Sequence, residues 1–212
     1  MTPQHPRFAR AYARVVGKMN KRGATQHRRE LLAGLQGNVI EIGAGEGSSF
    51  ALYPDAVQEV LAVEPDDYLR GLASGKAGRA RVPVRVVPGT AENIPAADGS
   101  ADAVVVSLVL CSVPSQEAAL AEIRRVLKPE GTLAFYEHVR SNHRFASAVE
   151  DFISPAWQRM AGGCHPNRDT LGAIVDAGFD VLDNRGVGFA VHWMAPPFDH
   201  ILGHAMGPAK AS

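Results

Sequence analysis

The chain has 212 residues, 46% apolar and 21% charged, with acidic and basic side chains in equal number. That is enough chain for one ordinary domain with a full core, and no apolar run comes near the roughly 18 residues a bilayer-spanning helix needs. Two cysteines exclude a disulfide framework, and the lack of CxxC, HExxH or clustered Cys/His spacing argues against zinc, so the expectation is a cytoplasmic chain without a metal.

The balanced charge hides an asymmetry. Residues 1–29 carry eight Lys/Arg and no acid, whereas the rest carries 14 basic and 22 acidic residues. In this first segment Phe8, Tyr12, Val15, Val16 and Met19 share one helical face, and Arg7, Arg10, Arg14 and Lys18 share another. The segment reads as a basic amphipathic helix, and residues 1–30 are expected to cap a domain running over 31–212. Contact of residues 1–22 with a membrane surface or partner is an alternative that is not favoured. A targeting peptide is a third reading, disfavoured by the scarcity of Ser, and there is no apolar core of a secretory signal.

Short apolar runs then alternate with helical stretches. NVIEI (38–42), EVLAV (59–63), VRVV (84–87), ADAVVVSL (101–108) and TLAFYE (132–137) read as strands. The fourth is almost continuously apolar, as a buried parallel strand is. Helices are predicted near 47–52, 66–74 and 115–127, the last capped by Ser115 and ended by Pro129 and Gly131. This alternation implies a doubly wound, mostly parallel sheet. Beyond residue 140 the pattern predicts a helix over 142–160, a turn at GGCHPNRDT (162–170), a helix over about 168–177, an extended stretch over 178–193 and a final edge strand at DHILGHAMG (199–207).

The glycine loop Glu41-Ile-Gly43-Ala-Gly45-Glu-Gly47 falls where the first strand gives way to the next element. Glycines there admit a ligand close to the backbone, and the N–H groups beyond supply donors. A dinucleotide fingerprint would put its third glycine at position 48, which is Ser, so the pyrophosphate reading is weakened. Glu64 and Pro65 close the second strand about 20 residues on, where a carboxylate can bind ribose hydroxyls.

E-x-G-x-G-x-G resembles the first motif of the class I S-adenosylmethionine-dependent methyltransferases, and GTAENIPAADGSADAVV (89–105) and RRVLKPEGTLAFYEH (124–138) are similar to later segments of that family. The resemblance implies a Rossmann-like class I methyltransferase fold with an antiparallel C-terminal edge strand, S-adenosylmethionine as cofactor and a small-molecule acceptor rather than nucleic acid. It also implies that Gly43, Ala44 and Gly45 line the methionine part of the cofactor. By the same resemblance Glu41 orients that loop or neutralises the amino group, Glu64 binds the ribose, Ala91 and Glu92 approach the adenine, and Ser107 and Leu108 floor the site.

LVLCSV (108–113), EHV (137–139), SPAWQRMAGGC (154–164) and HILGHA (200–205) resemble, more narrowly, the alkyl thiol methyltransferases of animal membranes. Those carry an apolar N-terminal anchor with no counterpart in this sequence, so a membrane location is not carried over. The expected reaction is methylation of a thiol by direct in-line attack. Methylation at O, N or C of a lipid, quinone or natural product, or a non-catalytic nucleotide-binding role, are the alternatives. His138, after the fifth strand, and His165, in the turn, are the candidate bases, each weighed against a structural or substrate-shaping role. Glu137 is a weaker candidate. Trp157 reads as a packed aromatic, Cys111 as a small buried side chain and GGCHPNRDT as a connector. Direct transfer needs no covalent enzyme intermediate and no metal.

Overall fold

The computed structural model describes residues 4–141, 143–189 and 198–207. An N-terminal helix α1 (Pro6–Met19) runs through a kinked π-helical turn (Asn20–Ala24) into α2 (Thr25–Leu32). Then follow β1 (Gly37–Ile42), β2 (Val57–Val63), α3 (Asp67–Ala77), β3 (Val84–Val87), β4 (Ala101–Ser107), α4 (Gln116–Val126) and β5 (Leu127–His138). The chain finishes with α5 (Arg144–Met160), α6 (Thr170–Asp176), β6 (Asp180–Phe189) and β7 (Phe198–Met206).

The seven strands form one sheet in the order β3-β2-β1-β4-β5-β7-β6. All neighbouring pairs from β3 to β5 are parallel, and β7 is antiparallel to both β5 and β6. The fold is therefore the Rossmann-like, doubly wound arrangement expected, with its antiparallel strand on the C-terminal side. That strand is not itself outermost: β7 lies between β5 and β6, and β6 forms the rim.

Both faces of the sheet are buried, which is why its central strands read as continuous apolar runs. Ile40, Ile42, Val104, Val106 and Leu133 pack on one side against Leu120 and Ile123 of α4 and Ile174 of α6. Val39, Val60, Val105 and Ala134 pack on the other against Leu31 and Leu32 of α2, Phe50 and Tyr53. Neighbouring residues of one strand thus serve opposite faces, as the pleat requires.

Caps set the helix starts. The Asp66 carboxylate accepts the N–H groups of Tyr68 and Leu69, Ser115 accepts that of Ala118, and Asp169 accepts that of Gly172. The helix expected over 47–52 is only a short 3₁₀ turn at Phe50–Leu52, closed by the i+3 bond from Leu52 N–H to the Ser49 carbonyl before Pro54. In α1 the inward stripe is Ala9, Val16 and Met19, with Phe8 and Tyr12 partly covered, while Val15 is exposed. Val15 lies about 100° around the helix from Val16 and falls at the exposed margin of the stripe.

Helix α5 is fastened by its polar side. Glu150 is buried and accepts the Ser141 N–H, and Asp151 takes a bidentate pair from Arg140 and a bond from Asn167. Phe145 and Phe152 point outward. No helix among the described residues is long and apolar enough to cross a membrane. The end of the predicted extended stretch, 190–193, lies outside the described residues.

Candidate active site

In a doubly wound sheet ligands collect at the carboxyl ends of the strands, beside the point where strand order reverses. Here that point lies between β1 and β4. After β1 the chain turns sharply: Gly43 and Gly45 are left-handed, with φ of 66° and 58°. The N–H groups of Gly43 and Ala44 both reach the Val63 carbonyl at the end of β2, at 2.8 and 3.2 Å. A β-carbon on Gly43 would fall 2.5 Å from a methyl of Val109, just past β4, and one on Gly45 would fall 3.5 Å from the ring of Tyr12 in α1. The loop is thus held between the β4 exit and the N-terminal helix.

Glu64 is bonded directly to this loop, and Glu41 is buried at the end of the strand that leads into it. Glu64, only 4% exposed, accepts Gly45 N–H through Oε2 at 2.8 Å and Asp66 N–H through Oε1 at 2.9 Å. Burial pushes its pKa up to about 7, with the two N–H bonds opposing the shift. Glu41 is equally buried and accepts the Tyr53 hydroxyl at 3.0 Å. Burial raises its pKa, while bonds from Ser49 and Tyr53 and the charge of Arg28 hold it down. The bonds of Glu41 go to Tyr53 and Ser49, in the segment that follows the glycine loop. Pro65 presents its carbonyl to Gln4 and Arg70.

Two residues of the N-terminal region complete this side, and the sequence did not single out the second. Burial raises the pKa of Tyr12, whose hydroxyl lies in the field of Arg28, Glu64 and Glu41. The Arg28 guanidinium is buried and donates to Asn20 at 2.6 Å. The α1 segment is further tied over the loop by His5 N–H to Asp66 and by Asn20 to Ser48.

Farther along the edge, Ala91 is buried, and the Oε1 atom of Glu92 is enclosed without a hydrogen-bond partner among the described residues. Ser107 Oγ, at the end of β4, is likewise enclosed and unpartnered. Leu108 follows with a left-handed backbone, φ 61°, its N–H bonded to the Tyr136 carbonyl. Unpaired buried acceptors and hydroxyls are costly. Two of them at one sheet edge, with a glycine cradle closed by Glu64, suit a bound adenosyl group whose amine and hydroxyls can satisfy them.

Glu137, fully buried at the end of β5, shapes the loop after β4. Its carboxylate accepts the N–H groups of Val109, Leu110 and Cys111 at 2.8, 3.0 and 3.1 Å. Burial raises its pKa and these three bonds oppose the rise. It is a scaffold rather than an exposed base. The Arg168 guanidinium donates to the carbonyls of Leu110 and Val113 from the far side.

The loop shaped in this way brings three residues together. Cys111 Sγ lies 3.6 Å from Cys164 Sγ, and His138 Nδ1 lies 3.5 Å from the first and 3.3 Å from the second. Both cysteines are buried and His138 is partly so. The stretch GGCHPNRDT does connect α5 to α6, with Asp169 as the cap, but it also delivers Cys164 onto the ends of β4 and β5. His165 donates its backbone N–H to the Cys111 carbonyl at 2.7 Å, and its buried Nδ1 has no partner among the described residues. The His138 ring lies 4.2 Å from that of His200 on β7 and meets Phe198 edge-on. Burial, and then the neighbouring His138, lower the pKa of His200 to about 3, so it stays neutral. Trp157 packs against Phe198, with ring centroids 4.9 Å apart.

Residues 40–135 match the family model described as a methyltransferase domain. The thiol S-methyltransferase TMT1B of Homo sapiens is 32% identical over 204 residues, covering 91% of this chain and 83% of that protein. Among solved structures, an S-adenosylmethionine-dependent methyltransferase from Methanosarcina mazei superposes with a TM-score of 0.66 at 18% identity, covering 82% of this chain and 93% of that one. Geranyl diphosphate C-methyltransferase from Streptomyces coelicolor A3(2), solved with S-adenosyl-L-homocysteine, gives 0.67 at 14% identity, covering 97% and 85%. With this sheet order, this glycine loop and this extent of likeness, the chain belongs to the class I S-adenosylmethionine-dependent methyltransferases.

Proposed function

We propose that the protein methylates the sulfur of a small, fairly apolar thiol. The observation that carries this reading is where four separate segments meet. LVLCSV, EHV, SPAWQRMAGGC and HILGHA, the stretches similar to thiol methyltransferases, supply Cys111, His138, Cys164 and His200 to one cluster at the carboxyl ends of β4 and β5. The likeness to a thiol S-methyltransferase over 91% of the chain supports the same acceptor.

In this reading Gly43, Ala44 and Gly45 hold the methionine part of the cofactor, Glu64 takes the ribose hydroxyls and Glu92 the adenine amine, with Ser107 and Leu108 beneath. When bound, S-adenosylmethionine supplies a methyl group already activated by its sulfonium. The chain's own task is to align the acceptor and exclude water, and alignment is worth about 7–11 kcal/mol in favourable cases. Helix α1 does the excluding, with Tyr12 over the loop and Phe8 against the turn at Gly162. A thiol of pKa about 8.5 is a few per cent ionised near neutrality and needs little help from a base. His138 turns Nδ1 toward the two cysteines, so its role is positional, and His165 is proposed to line the acceptor side.

A methyl-transfer screen over small thiols, phenols, amines and quinols, read by product mass, tests the proposal. Thioether products are expected. Turnover of amines or phenols alone would remove the thiol acceptor while leaving the fold and cofactor in place.

A further inference from the structure

Cys111, His138 and Cys164 come from three separate segments and meet with their ligating atoms in mutual contact. Two thiols and an imidazole nitrogen form a closed triangle with edges of 3.3, 3.5 and 3.6 Å. Around a tetrahedral zinc ion, with Zn–S about 2.3 Å and Zn–N about 2.0–2.1 Å, the ligand-to-ligand edges are about 3.8 Å for S···S and about 3.6 Å for S···N. All three edges lie within about 0.3 Å of those values, so one ion seated just above the plane of the triangle requires only a slight opening of the side chains.

The surroundings suit such an ion. Each ligand is fixed through its own backbone: Cys111 N–H to Glu137 and Cys111 carbonyl from His165 N–H, His138 carbonyl from Thr170, and Cys164 N–H to the Ala161 carbonyl. These bonds set where each ligand's backbone sits before any ion binds. The charges also balance. Two thiolates neutralise a divalent cation, and the Leu110 backbone bonds both the buried Glu137 carboxylate and the Arg168 guanidinium. A neutral set of charges is what a buried site tolerates. Two sulfurs and one imidazole select a thiophilic ion such as zinc over magnesium or calcium. Three protein ligands leave one tetrahedral position open, the pattern of reactive rather than structural zinc sites.

We propose that Cys111, His138 and Cys164 bind one zinc-type divalent cation, and that its open fourth position takes the sulfur of the acceptor. The second half rests on the thiol reading above; the first does not. On ligation the acceptor loses its S–H proton to water and is held as a thiolate at neutral pH, as a coordinated thiol is. Methylation forms a carbon–sulfur bond to the acceptor as the cofactor's methyl–sulfur bond breaks, and the bonding pair stays on the cofactor sulfur. The product is a neutral thioether, a far poorer zinc ligand than a thiolate, and it vacates the position. Val109, two residues before Cys111, lies against Gly43 of the cofactor loop, so the cluster sits on the same loop that borders the cofactor. This reverses the expectation of a metal-free connector drawn from sequence spacing.

The test is cobalt and zinc binding by the full chain, purified under reducing conditions and stripped with a chelator. One Co²⁺ per chain is expected, with thiolate-to-cobalt charge-transfer absorption and the visible bands of a tetrahedral site, displaced by Zn²⁺. Cys164→Ser should weaken Zn²⁺ binding at least a hundredfold. His138→Gln, at a partly exposed position, should weaken it at least tenfold and serves if the cysteine variant does not fold. A simple alkyl thiol should increase the charge-transfer intensity. Stripped wild-type protein, with both thiols free, that takes up no Co²⁺ or Zn²⁺ overturns the site, as does a Cys111–Cys164 disulfide formed in place of metal uptake. Thiol methylation at full rate by protein that binds no metal removes the metal and leaves the thiol reading. Stoichiometric metal with neither a thiol-induced spectral change nor thioether product supports the metal site and removes the thiol as its fourth ligand.

Discussion

The Glu64 carboxylate receives the N–H of Gly45 at 2.8 Å, joining the end of β2 to the loop after β1 across 19 residues of chain. A single buried acid therefore fixes the loop and stands where the ribose is proposed to bind. Replacing it with Ala should weaken S-adenosylmethionine by about 1.5–3 kcal/mol, the range for hydrogen bonds to a charged group. Calorimetry that finds unchanged affinity would contradict this role.

The same acid should make binding depend on pH. Burial lifts its pKa from the ordinary carboxylate range to about 7, so folding favours the protonated form. Its contribution to stability is present below the unfolded value and is lost as pH rises through about 7. Cofactor binding has the opposite sign, because ribose hydroxyls donate to the carboxylate. Affinity should rise between about pH 6 and 8, and Glu64→Gln should flatten the rise. Titration calorimetry across that range measures both.

Gly43 and Gly45 should not be equally sensitive. Both have left-handed backbone, but a β-carbon at Gly43 meets Val109 at 2.5 Å whereas one at Gly45 meets Tyr12 at an ordinary 3.5 Å. Gly43→Ala should cost more cofactor affinity and more thermal stability than Gly45→Ala, by about 1–3 kcal/mol, the usual penalty of overpacking. Equal effects would show that backbone strain alone governs the loop.

Removing Glu137 should be a stability defect first. Its carboxylate is the acceptor for three backbone N–H groups, and in Glu137→Ala these lose that acceptor. A loss of about 3 kcal/mol or more is expected, because each orphaned buried donor costs about 1–3 kcal/mol. Glu137→Gln should recover part of it, since the amide oxygen accepts and its NH₂ does not. Denaturant melts of the two variants decide the order.

Deleting residues 1–22 should raise the Michaelis constants for cofactor and acceptor together. The truncation removes Tyr12 from above Gly45, Phe8 from beside Gly162 and Asn20 from Ser48 and Arg28. Steady-state kinetics that match the full chain would turn attention to the exposed basic face of α1 as a contact surface.

The sheet and the glycine loop after β1 were legible in the sequence because those parts are local. Each central strand is a compact apolar run, the starts of α3, α4 and α6 have their caps within a few residues, and the cofactor loop is one contiguous motif whose partner acid sits at the next strand end. The Cys111–His138–Cys164 cluster is the opposite case. Its members lie 27 and 26 residues apart on a loop, a strand end and a turn, and no metal-binding spacing joins them. Val15 shows the same limit on a smaller scale: the apolar pattern admits two adjacent residues to one face, and only packing of α1 decides that Val16 goes in. The inward placement of β7 is likewise set by pairing with β5 and β6, which no single segment encodes.

That placement has a temporal side. β7 is the last described strand to leave the ribosome, yet it pairs with β5 from Thr132↔Met206 to His138↔His200 and lays His200 and Phe198 against His138. The strands bearing the cofactor loop, Glu64, Ser107 and Leu108 are all synthesised earlier and pair among themselves and with β3 and β5. A nascent chain can thus assemble the proposed nucleotide side while the proposed acceptor side lacks a wall. The wall that β7 lays against His138 forms only once β7 itself has emerged.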